Sequence, residues 1–147
     1  MKHNIKRYSY FIFLFVCLQG CSEPTLRIDG VIEKSTQCSC KALGLVMIIP
    51  SYGIASDALM TLSIKNTGND EGFYQNFSTA ISQGHTDFTL YCQSSQKLAA
   101  LISNTFSHYE DNILEGIRLC VVSLSDRYAD TLRNEANRVG AIIEFVE

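Results

Sequence analysis

The sequence predicts an α/β or two-layer α+β domain with the element order β-β-β-α-β-α-β-α-β. Three observations predict it. From residue 59 onward, short apolar runs alternate with stretches whose apolar residues recur at helical spacing. The stretches between runs are long enough to cross over between parallel neighbours. Gly, Ser, Asn or Asp stands at most of the joints, where caps and turns are needed.

The elements follow in order. Leu26 to Glu33, LRIDGVIE, has apolar residues at 26, 28, 31 and 32, interrupted by Asp29-Gly30, and reads as a strand with a bend or bulge. Leu43 to Ile49, LGLVMII, is a continuous apolar run ended by Pro50. Its length and branched side chains favour a buried strand. Ser51-Tyr52-Gly53 reads as a turn. Leu59 to Lys65, LMTLSIK, half alternates and reads as a third strand, closing on the loop Asn66-Thr67-Gly68-Asn69. Phe73, Phe77, Ala80 and Ile81 then form one face of a helix. Asn69 or Asp70 is positioned to cap its start, and Gly84 to end it. Phe88 to Cys92 alternates as a strand. Leu98, Leu101, Ile102, Phe106 and Tyr109 make a second helical stripe behind a Ser94 or Ser95 cap. Ile117 to Val122 is a strand. Ser125 caps a third helix with Tyr128, Ala129, Leu132, Ala136 and Val139 on its inner face. Gly140 ends that helix, and Ala141 to Val146 is the last strand.

The N-terminus has a different character. Residues 1–7 carry Lys2, Lys6 and Arg7 and no acid, and Tyr8 to Leu18 is an apolar run of eleven residues. A membrane-spanning helix needs about 20, so the run is too short to cross. A basic start, a short apolar core and a small residue before a cut describe a secretory signal. Leu18-Gln19-Gly20-Cys21 resembles the lipobox of bacterial lipoproteins: Leu, a tolerant position, Gly or Ala, then Cys. The resemblance covers only about the first 21 residues. It implies cleavage between Gly20 and Cys21 and a diacylglycerol on the Cys21 sulfur. It further implies anchoring in the bacterial envelope, with Ser22 resembling the outer-membrane sorting default. Each buried CH₂ contributes about 0.8 kcal/mol, so two or three chains hold a protein on a membrane without a spanning helix.

On that reading the chain divides into a signal (1–20), a short tether (21–25) and one globular domain (26–147). The signal removes three of the 12 basic residues and none of the 15 acidic ones. Nine against 15 remain, a net charge of −6. A nucleic-acid surface wants a basic stripe, so no nucleic-acid partner is expected.

Four cysteines remain for the domain: Cys38, Cys40, Cys92 and Cys120. In an exported chain an even number reads as disulfides. A Cys38–Cys40 ring is too small to close without strain, so each is expected to reach for Cys92 or Cys120. A buried free thiol competes with bridging at Cys120. Cys38-Ser39-Cys40 also admits a soft metal or a redox thiol, but His85 and His108 are distant in sequence and Cys-x-x-Cys is absent. No catalytic motif, metal site or cofactor signature stands out. His85-Thr86-Asp87, Asp70-Glu71 and Glu110-Asp111 all read as loop or helix-end residues. Tyr52, in the turn, and Tyr74, off the Phe73/Phe77 stripe, are the aromatics left over from the core, and tyrosine anchors interfaces.

The residues from Gly116 to Val146 form one strand-helix-strand unit. It resembles half of a ferredoxin-like fold, or a repeat of the SPOR-type peptidoglycan-binding domain, which would imply a glycan ligand. The leading expectation is instead a non-enzymatic lipoprotein facing the periplasm that binds a protein partner. It would serve as a secretion or assembly accessory, or as an immunity-type inhibitor of a periplasm-acting toxin.

Overall fold

The computed structural model describes residues 28–38 and 44–147. Helix α1 (Ile28–Ser35) is followed by strand β1 (Leu45–Ile49), helices α2 (Ile54–Thr67) and α3 (Phe73–Ser82), and β2 (Asp87–Cys92). Then come α4 (Ser95–Ser107), β3 (Arg118–Val122), a 3-10 turn (Asp126–Tyr128), α5 (Ala129–Val139) and β4 (Ile142–Val146). The fold is α/β, with strands and helices alternating.

The four strands form one parallel sheet in the order β1-β2-β3-β4. The register runs from Leu45↔Phe88 to Ile49↔Cys92, from Asp87↔Arg118 to Tyr91↔Val122, and from Arg118↔Ile142 to Val122↔Val146. Every crossover steps one strand in the same direction, so the described sheet never reverses its order. The ferredoxin-like alternative for the C-terminal half fails here, because β3 and β4 are adjacent and parallel rather than split by an inserted strand.

Strand alternation sorts side chains onto two faces. Phe88, Leu90, Cys92, Leu119 and Val121 point to one face and meet the buried sides of α2 to α5, including Ile64, Phe77, Leu98, Ile102, Phe106, Leu132 and Ala136. Cys120, Val122 and Val146 point to the other, where they meet Val31 of α1 and Cys38, with Val46 and Tyr91 at the margin. A close approach at the sheet's edge requires Gly44: a Cβ there would lie 2.2 Å from the Asp87 carbonyl oxygen.

Two expected strands are helices. Leu26 to Glu33 was expected to be extended, but α1 runs from Ile28 to Ser35. Its inner face is Val31, Ser35 and, just beyond the helix, Cys38, at i, i+4 and i+7. A serine and a cysteine carry most of that stripe, so counting only aliphatic residues missed it. Asp29 in its first turn and Lys34 in its last suit the helix dipole. Leu59 to Lys65 lies inside α2, which begins at Ile54 and ends on Gly68, whose N–H donates to the Ile64 carbonyl at φ 68°. The other elements stand where the sequence puts them. Ser94 caps α4 by accepting from the Lys97 N–H, and Gly140 closes α5 at φ 84°.

Cys38 and Cys120 form a disulfide with Cα atoms 6.0 Å apart, tying the end of α1 to the face of the sheet opposite α2–α5. Cys92 is not bridged; it is buried and free. The expectation that it could pair with Cys38 fails because residues 88, 90 and 92 point to the face covered by α2–α5, while Cys38 lies with Cys120 on the other. Cys40, and the expected signal, cleavage site and lipidation residue at 1–21, lie outside the described residues.

Candidate functional site: an apolar helix face above a buried ion pair

The site begins where β1 stops. Pro50 ends the strand, Ser51-Tyr52-Gly53 turns the chain, and Gly53 at φ 94° leads into α2. The first turn of α2 carries Asp57, which is 3% exposed. Its carboxylate closes the turn, with Ser51 Oγ donating to Oδ2 and the Tyr52 N–H donating to Oδ1 at 3.2 Å. Lys97, 1% exposed, rises from the first turn of α4 to meet it. The Lys97 ammonium donates to the Pro50 carbonyl at 2.8 Å and lies 3.6 Å from Asp57 Oδ1. It also sits 4.9 Å from the centre of the Tyr52 ring, in cation–π range. Thr61, one turn on, donates to the Asp57 carbonyl at 2.7 Å.

This polar knot holds a loop. The ammonium is engaged on two sides by oxygen and on a third by an aromatic face. Cys92 lies close by at the end of β2, and burial pushes its thiol pKa up, against the lowering effects of a backbone hydrogen bond at Ser94 and of the Lys97 charge, with the Asp57 charge adding a little. A thiol held neutral is a poor nucleophile. Among the described residues no group of His, Cys, Asp or Glu is arranged to hold a metal ion.

What the knot displays is apolar. With Asp57, Thr61 and Ile64 turned inward, α2 exposes Ile54 at its start and Leu59 and Leu62 on its outer side, by 94%, 69% and 55%. At about 100° per residue Leu59 and Leu62 lie roughly 60° apart on the outer side, while Ile54 stands at the first position of the helix. Tyr52, 59% exposed, precedes them on the turn. Two clefts adjoin this region. One, of about 340 Å³, lies between Ser51, Gly53, Ile54, Gln93 and Ser94. The other, of about 350 Å³, runs beside β1 to Asp70 and Glu71.

Of the two tyrosines singled out in the sequence, Tyr52 is in this surface. Tyr74 is engaged within the fold: its ring stacks on His108 at 4.3 Å and meets the edge of Tyr109 at 5.7 Å. Burial raises the pKa of the Tyr109 hydroxyl. The other titratable pairs have local duties. Asp87 pairs with Arg118 at 3.0 Å, not with His85, Asp111 pairs with Arg138 at 3.2 Å, and Asp70 accepts from the N–H groups of Gly72 and Tyr74 at the start of α3. Ile54, Leu59, Leu62 and the Asp57–Lys97 pair were not read from the sequence. The spacing of Asp57, Thr61 and Ile64 at i, i+4 and i+7 would have revealed them, had a polar stripe been admitted as an inner face. Comparison with family models, with curated proteins and with solved structures gave no match.

Proposed function

We propose that the protein is an envelope lipoprotein, anchored through Cys21, whose periplasmic domain binds a protein partner through Tyr52 and the outer face of α2. The observation that carries this reading is the inverted helix: α2 buries Asp57 and Thr61 while exposing Ile54, Leu59 and Leu62. A contiguous apolar patch on a surface marks an interaction site, and a tyrosine at its rim is a typical anchor. The lipobox supports the anchoring, and among the described residues no helix is long and apolar enough to cross a membrane. The net charge of −6 left after signal removal suits an acidic face that occludes a basic site, as in an immunity-type inhibitor.

Two experiments test the two halves separately. Cys21→Ser should abolish lipid labelling and release the protein from membranes; a variant that stayed membrane-bound and uncut would instead indicate a signal anchor. Crosslinking in the intact envelope should join wild-type protein to a partner that a Leu59→Glu/Leu62→Glu variant no longer captures. Capture by purified sacculi that survives the same variant would turn the reading to glycan binding.

A further inference from the structure

Strand β1 is an edge of the sheet. Among the described residues its only ladder neighbour is β2, so about half of its N–H and C=O groups point away from the sheet. Natural edges are blunted by lysine, an internal proline or a bulge. Leu45-Val46-Met47-Ile48-Ile49 has no charged residue and no proline, and pairs without a bulge along its whole length.

A cleft of about 350 Å³ runs along this edge, with Val46 to Pro50 on one side and Asp70, Glu71 and Asn76 on the other. The two acids in its wall differ. Asp70 is used by the fold: it accepts from Gly72 N–H at 3.1 Å, Tyr74 N–H at 3.0 Å and Asn104 Nδ2 at 3.2 Å. Glu71 is exposed and makes no ion pair among the described residues. It is held in the left-handed region at φ 53°, directly before Gly72 at φ 82°, a conformation that disfavours a non-glycine residue. Lys97 also reaches the cleft, but its charge is met by Asp57. The cleft therefore pairs an open backbone edge and an apolar strand with one uncompensated carboxylate.

We propose that β1 accepts an extended segment of a partner protein as a fifth strand, and that a lysine or arginine of that segment pairs with Glu71. Strand addition draws affinity from main-chain hydrogen bonds and specificity from alternate side chains. A segment that presents its backbone to β1 and a cation across the cleft satisfies both. The inference rests on the reading that this chain binds protein, but at a surface separate from the outer face of α2.

The test uses the full lipidated protein in detergent micelles, isotope-labelled for NMR, and a probe peptide acetyl-Ser-Val-Lys-Val-Thr-Val-amide at up to about 1 mM. The amide signals of Leu45–Ile49 should shift. A peptide with glutamate in place of the lysine should bind about two- to fivefold more weakly, as expected for an exposed ion pair, and Glu71→Gln should erase that difference. A copy of the probe N-methylated at alternate residues should not bind. Equal binding of the N-methylated peptide, shifts confined to Tyr52–Leu62, or no shift at all would overturn the proposal. Leu59→Glu/Leu62→Glu should leave this titration unchanged, so the two surfaces fail or stand independently.

Discussion

Helices α2 and α5 divide their residues in opposite ways. Helix α5 buries Ala129, Leu132, Ala136 and Val139 and exposes Asp130, Arg133, Asn137 and Arg138. Every large apolar group it has is consumed by its own fold. Helix α2 packs on α4 through Thr61, Ile64 and the Asp57–Lys97 pair, and leaves Ile54, Leu59 and Leu62 outside. The contrast separates two demands on a helix. One needs only to cover a sheet. The other is fastened by polar contacts within and leaves apolar residues outside.

The comparison can be broken at its strongest point first. Lys97→Met leaves the Asp57 carboxylate buried without a counter-charge and should cost about 3–5 kcal/mol, whereas Asp57→Leu combined with Lys97→Met should recover most of that. Denaturant unfolding of the two variants checks it; a single substitution costing no more than a surface change would mean that the pair does not hold α2. On the α5 side, Leu132→Ala should cost about 2–5 kcal/mol through the cavity it leaves. Cys38→Ser should remove about 2–5 kcal/mol, and dithiothreitol should lower the wild-type midpoint by the same amount while leaving the variant unmoved.

Smaller effects sharpen the contrast. Leu59→Glu/Leu62→Glu should change stability by no more than about 0.5 kcal/mol, because neither side chain is packed; a large loss would place them in the fold's own core. Alkaline pH should act on groups buried on both faces of the sheet. Cys92 has its pKa raised above the ordinary 9.0 in the folded state, mainly by burial. Its contribution is therefore fully present below 9.0 and is lost as pH rises through the folded value. Tyr91 and Tyr109, also raised mainly by burial from 10.0, act in the same direction at higher pH. Stability profiles of wild type and Cys92→Ala should diverge above about pH 9, the wild type falling more steeply.

The four strands and helices α3, α4 and α5 were legible in the sequence because each carries its whole signal locally. Phe73, Phe77 and Ala80 or Leu132, Ala136 and Val139 face the core at the spacing the helix imposes, with Gly84 and Gly140 ending the runs. Helices α1 and α2 were misread because their inner faces are partly polar. Cys38 of one and Asp57 of the other find partners far away in sequence, while Ser35 and Thr61 turn their hydroxyls back onto carbonyls of their own helices, and no hydrophobic count anticipates either. Tyr52 was singled out as unneeded by the core, and it borders the exposed patch; Tyr74 was singled out on the same ground and is stacked on His108.

By itself the sequence determined an alternating α/β chain, the acidic balance and, through Leu18-Gln19-Gly20-Cys21, the expectation of export and anchoring, since these depend on residue order over a few turns. Only the tertiary structure decided which cysteine Cys38 bonds, which side of α2 faces solvent and, among the described residues, that the uncharged strand β1 is one of the sheet's two edges. Each of these depends on which side of a parallel sheet a residue meets and on what lies next to it there, and that neighbour comes from 40 or more positions away for Asp57 with Lys97 and 82 for the disulfide.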